Sequence, residues 1–171
     1  MLSGETTMGD YPIERVNKMV KVAKSVEPTI NYWKRFTKKD WKIEEADIES
    51  HAAYTTCVTA RDIKADAIID YTHTGNSATR LSGYGPACPI FAITDSEKVY
   101  NQLGPVWNVY PILIKDGADI DDTIEKGVEK LIELGKLEEG DTAVLCGGPQ
   151  IMIKEKSKYA VNKTVGGILK I

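Results

Sequence analysis

The hexapeptide Thr72-His73-Thr74-Gly75-Asn76-Ser77 is the stretch of this sequence best equipped for chemistry. It follows a β-rich run and opens a helical one. Its hydroxyls, a glycine that permits close backbone approach, and the unpaired amides of a helix N-terminus would together surround one small anion. The same residues also suit an ordinary strand-to-helix turn with Thr74 or Ser77 as N-cap. His73 adds positive charge only when protonated, and a lone histidine beside a turn is commonly a solvated side chain. Asp119, Asp121 and Asp122 lie at a predicted helix start, where the macrodipole favours acidic residues, so they read as capping rather than as a metal site. Cys57, Cys88 and Cys146 are odd in number, widely spaced and in apolar surroundings, which points to buried reduced thiols rather than disulfides or zinc. Nothing in the chain supplies the cation clamp and paired metal-binding carboxylates that phosphoryl transfer demands.

The elements that must position the turn follow from alternation of short Val/Ile/Tyr-rich runs with helical ones, the pattern of βαβ units and a mostly parallel sheet. Strands are predicted at about 67–72, 89–94, 108–114, 142–146 and 165–170, and helices at about 77–82, 96–103 and 120–134. The last helix is the firmest: Ile120, Ile124, Val128, Leu131 and Leu134 recur at spacings of three and four, and Gly135 is placed to end it. Asp95 and Asp119 are the predicted N-caps. The first 66 residues read as helical, with Asp10 as cap, Pro12 in the first turn and a stripe of Ile13, Val16, Met19, Val20 and Ala23 that Pro28 interrupts. A second helix is predicted over about 44–63, after a charged connector at 37–42. Residues 147–163 read as a long irregular loop rich in Lys and Gly. Trp33 and Trp41 on the helical segment and Trp107 before a strand are packing groups, and His51 lies at a surface or interface. The expected architecture is a three-layer α/β/α sandwich of about five mostly parallel strands, the last antiparallel, preceded by an N-terminal helical segment.

Composition bounds the rest. With 171 residues, 22 Lys+Arg against 25 Asp+Glu and a net charge of -3, the chain is one ordinary globular domain with an appended segment, and it generates no positive field to gather nucleic acid. No apolar run approaches the roughly 20 residues of a membrane span, and the N-terminus lacks a signal-peptide layout, so a cytoplasmic location is expected.

Two segments are more specific: residues 1–12, MLSGETTMGDYP, and residues 67–89, AIIDYTHTGNSATRLSGYGPACP. They resemble pyruvate kinase. In that family the first leaves the last strand of the catalytic barrel, and the second begins the C-terminal α/β domain. The resemblance continues through 108–114 and 140–146 and weakens after 147. It implies a division into a barrel remnant at 1–40 and a C-terminal domain at 41–171.

The resemblance also implies function. The barrel, with its phosphoenolpyruvate, nucleotide, Mg2+ and K+ sites, would lie upstream of Met1, so no cofactor is expected in this chain and catalysis by it alone is not expected. Ser3 and Glu5, which would line the active-site mouth, are expected to be orphaned and disordered. Thr72, His73, Thr74, Gly75, Asn76 and Ser77 would hold one phosphate of a sugar-phosphate or other phosphorylated effector, usually fructose bisphosphate. Asn76 and Gly85 stand where many members carry Arg. Lys154, Lys156 and Lys158, with Lys163, would meet a second phosphate as point charges. The domain would contact its own barrel and join subunits into a homo-oligomer. The alternative is a free-standing protein that binds a small phosphometabolite with the same domain.

Overall fold

The computed structural model describes residues 2–44, 47–147, 160–162 and 168–171. Helices α1 (Gly4–Thr7), α2 (Pro12–Val26), α3 (Tyr32–Lys38) and α4 (Ile48–Asp62) precede an alternating region. That region runs β1 (Ala67–Tyr71), α5 (Asn76–Tyr84), β2 (Ile90–Thr94), α6 (Glu97–Leu103), β3 (Val109–Leu113), α7 (Ile120–Glu133) and β4 (Thr142–Gly147), then β5 (Ala160–Asn162) and β6 (Ile168–Lys170). The sheet order is β3-β2-β1-β4-β6-β5. Its first four strands are parallel, and β6 and β5 join antiparallel.

Because side chains alternate across a strand, Ile68 and Ile69 serve two different cores. Ile68, Ile90, Ala92 and Val144 pack with Cys57 and Ala60 of α4, Ala78 and Leu81 of α5 and Val99 and Leu103 of α6. Ile69, Phe91, Ile93 and Leu145 face Ile124, Val128 and Leu131 of α7 on the opposite side. Burial on both faces explains the near-continuous apolar strands. Pro111 is tolerated in β3 because that strand is at the sheet edge. Gly127 sets how closely α7 approaches β2: a Cβ there would fall on Ile93 Cδ1 and within 2.8 Å of Ile93 Cγ1. Gly127→Val is therefore expected to lower stability by about 2 kcal/mol through overpacking, read as a lower Tm in thermal unfolding. An unchanged Tm would mean that α7 is not seated by this contact.

Several expectations are corrected. The helix predicted from 44 begins at Ile48, because Asp47 accepts a hydrogen bond from Ser50 N at 3.0 Å and so fixes the N-cap. Ser96, not Asp95, caps α6, accepting from Val99 N. Asp10 does not cap α2: Tyr11 holds the cap position, without a side-chain bond, ahead of Pro12. Asp119 does cap α7, accepting from Asp122 N at 2.9 Å, and Gly135 follows at φ +62. Trp41 lies beyond α3 rather than on a helix. The sheet has six strands rather than about five, because residues 160–162, placed in a loop by their Lys-rich surroundings, pair with β6. Ser3 and Glu5, expected to be disordered, flank and enter the one-turn α1.

Candidate functional site

The turn between β1 and α5 lies at the carboxyl end of the parallel strands, where open α/β sheets place their ligand sites. Gly75 is the N-cap of α5 at φ +83. A side chain there would be strained by the left-handed backbone and would also meet Leu103 Cδ2 and Val99 Cγ1, each at 3.3 Å. The turn is braced from within. Gly75 N donates to Thr72 Oγ1 at 2.9 Å, Asn76 N to Thr74 Oγ1 at 3.5 Å, and Thr79 Oγ1 to Gly75 O at 2.8 Å. Thr72 is buried and its own N–H donates to Ile93 O of β2 at 2.9 Å.

Six predicted residues therefore share one turn, with different orientations. His73, Thr74 and Asn76 are exposed, whereas Ser77 is half-buried. Ser77 Oγ turns inward and donates to Asp70 Oδ2 at 2.8 Å. The first helical amides, of residues 76–78, occupy positions that have no acceptor within the helix. His73 Nδ1 lies 2.8 Å from Asp95 Oδ1 at the surface. Arg80 points away, to Asp47 at 2.9 Å and Glu49 at 3.3 Å at the start of α4. The exposed part of the turn thus offers amides and the Thr74 hydroxyl, flanked by the His73 imidazole and the Asp95 carboxylate paired with it.

Asp70 is the site residue that the sequence reading passed over. It is fully buried in β1, and burial pushes its carboxyl up to about 7, partly offset by the Ser77 hydroxyl and the Cys146 thiol. The available signal was a single carboxylate inside a strand apolar on both faces. Lys154, Lys156, Lys158 and Lys163 lie outside the described residues. Ser3 Oγ donates to Glu5 Oε2 at 2.6 Å, and this bond above all holds the Glu5 carboxyl below its usual range. All three cysteines are buried thiols, and burial pushes Cys57 and Cys88 up, Cys88 to about 12. Among the described residues no group of three or more His, Cys, Asp or Glu is arranged to hold a metal ion, and no helix is long and apolar enough to cross a membrane. A cavity of about 410 Å3, lined mainly by apolar groups including Phe91, Tyr110, Ile112 and Leu131, opens near the β3 edge and includes no residue of the turn.

Residues 50–159 match the family model described as pyruvate kinase, alpha/beta domain. A pyruvate kinase of Clostridium acetobutylicum is 38% identical over 148 residues, which are 86% of this chain and 31% of that protein. A pyruvate kinase of Thermotoga maritima is 34% identical over the same share of each. Among solved structures, the crystal structure of Cryptosporidium parvum pyruvate kinase superposes with a TM-score of 0.72 at 27% identity, covering 86% of this chain and 30% of that one. A complex of the same organism's enzyme with ADP gives 0.69 over 89% and 31%. The chain spans under a third of the length of these relatives. The matched segment contains β1, the turn, α5 and the three strands that support them, and it places the chain in the pyruvate kinase family, by its alpha/beta domain.

Proposed function

We propose that this chain is the regulatory part of a pyruvate kinase, and that turn 72–77 captures a phosphate group of a phosphorylated effector, with a sugar bisphosphate the first candidate. The observation that carries the reading is Gly75 at φ +83, capping a nine-residue helix that opens beside the exposed Thr74 and Asn76. In this reading transfer of phosphate from phosphoenolpyruvate to ADP, with its Mg2+ and K+, belongs to the catalytic barrel, as does a cytoplasmic place in glycolysis. The chain contributes effector capture and contact between subunits of a homo-oligomer.

Helix α2 supports attachment to a further domain over a free-standing binder. Ile13, Val16, Met19 and Val20 are 71%, 40%, 43% and 43% exposed, so the apolar stripe read from the sequence faces no partner among the described residues. A barrel packed on α2 would cover it.

The test is an NMR titration of the 171-residue chain with inorganic phosphate and fructose bisphosphate. Shifts are expected at amides 72–80, and Asn76→Arg, at an exposed first-turn position, should tighten binding about fivefold by adding a charged, forked donor. Gly75→Val should weaken it about tenfold or more by forcing a side chain into the left-handed region. No response at 72–80 in either the parent chain or Asn76→Arg at about 10 mM ligand, a concentration worth only about 3 kcal/mol of binding, would sink the reading.

A further inference from the structure

Directly below the turn lies a charge-bearing group that anion capture does not use. Asp70 is fully buried, its Oδ2 accepts from Ser77 Oγ, and its Oδ1 has no hydrogen-bond partner. Across the sheet it sits between Ala92 of β2 and Cys146 of β4. Among the described residues no ion pair reaches it: Arg80 on α5 is engaged by Asp47 and Glu49. Ser77 belongs to the first turn of α5 and so links the carboxyl to the helix end that would face an anion. An ionised Asp70 would set an uncompensated negative charge behind those amides, in low-dielectric surroundings where salt screens it poorly. A neutral Asp70 leaves the amides and the helix dipole unopposed.

We propose that anion capture at turn 72–77 is coupled to proton uptake by Asp70, so that the site takes its anion together with a proton and loosens as the carboxyl ionises. The proposal rests on the anion-binding reading of the turn and adds the group that governs it. Burial places the Asp70 titration near neutrality, at about 7, where such coupling is felt in ordinary buffers. Among the described residues the other groups around it can be named by element, with α6 bringing the apolar Val99 and Leu103 to that face. Helix α5 offers the Ser77 hydroxyl and the engaged Arg80, and β4 the Cys146 thiol. Strand β2 presents the apolar Ala92, and α4 contributes Cys57 to the same core, its thiol pushed up by burial. The competing titratable group is His73, on the turn itself and paired with Asp95. Its protonation would also favour an anion, so the test must separate the two.

Sulfate is the probe, because it remains a dianion over the whole range and any pH dependence then belongs to the protein. Binding is measured by amide shifts of the 171-residue chain at about pH 6 and about pH 8, on either side of the Asp70 transition. The unmodified chain should bind about fivefold tighter at the lower pH, the size expected of one poorly screened charge near the site. His73→Gln should keep most of that ratio, and Asp70→Asn should lose it while binding at least as well at the higher pH. A second readout needs no variant: by reciprocity, saturating sulfate should raise the midpoint of the Asp70 carboxyl carbon shift by about 0.7 pH units. Sulfate binding with equal affinity at both pH values overturns the coupling and leaves the turn as an anion site. A ratio that survives Asp70→Asn and vanishes in His73→Gln transfers the effect to the histidine and overturns it as well. Absence of sulfate binding at either pH, in both the unmodified chain and Asn76→Arg, overturns the reading of the turn and the coupling with it.

Discussion

Phe36→Ala is expected to lower stability by about 4 kcal/mol, the usual range for deleting a buried aromatic ring, and to detach residues 32–41 from the sheet domain. Phe36 is 2% exposed although α3 is a short, mostly exposed helix. Its ring centroid lies 6.1 Å from Trp33, 5.8 Å from Trp41, 5.5 Å from Tyr54 and 6.5 Å from Tyr84, several of them tilted or edge-on as aromatic rings prefer. Trp41 Nε1 donates to Phe36 O at 2.9 Å, and Tyr84 OH to Ser50 O at 3.0 Å, so the polar ends of these two rings are satisfied, and the cluster joins α3, α4 and α5. Removing the central ring leaves a cavity that the four surrounding rings cannot all collapse to fill. Urea unfolding should show the loss, and the emission of Trp33 and Trp41 should shift to the red before global unfolding. A cost below about 1 kcal/mol, the level of an ordinary surface change, would show that α3 is not part of the domain's core.

What the sequence reveals about this fold follows from how each element earns its stability. Strands β1 to β4 and helix α7 were legible because both faces of the sheet and one face of α7 are buried, and burial imposes apolar runs and a three-to-four spacing. The boundaries of α4 and α6 were misplaced by one to four residues because side chains one to three positions away compete for the cap, and the winners were Asp47 and Ser96. Helix α3 was invisible as a separate element: its stability comes from Phe36 meeting residues about 18 and 48 positions later, which no local pattern records. Strand β5 is three residues long in a lysine-rich stretch and owes its existence to β6. The turn was legible from its residue types. The inward rotation of Ser77 was not, because it depends on Asp70 seven residues earlier on a different element.

Asp70→Asn is expected to stabilise the chain above neutral pH and to flatten its pH dependence. An Asp in an unfolded chain ionises near its ordinary value of 3.8, whereas in the folded chain burial holds this carboxyl at about 7. Between those values the folded state carries the proton that the unfolded state has lost, so stability falls as pH rises across the window and levels off above the folded value. Three or so pKa units correspond to about 4 kcal/mol of folding free energy lost by about pH 8. The asparagine retains an oxygen to accept from Ser77 Oγ, but its amide must be buried with no acceptor at the place of Oδ1, a cost of about 1 to 2 kcal/mol. The net result at about pH 8 is a gain of about 2 kcal/mol over the unmodified chain, reversing to a small loss at about pH 4, where Asp70 is protonated in the folded chain, largely so in the unfolded one, and makes the same bond. Urea unfolding at several pH values reads both limbs, and the two stability curves should cross between them. Parallel curves across the whole window would mean that Asp70 titrates alike in the folded and unfolded chain, and that the carboxyl is solvated in a way its burial between Ala92 and Cys146 does not allow.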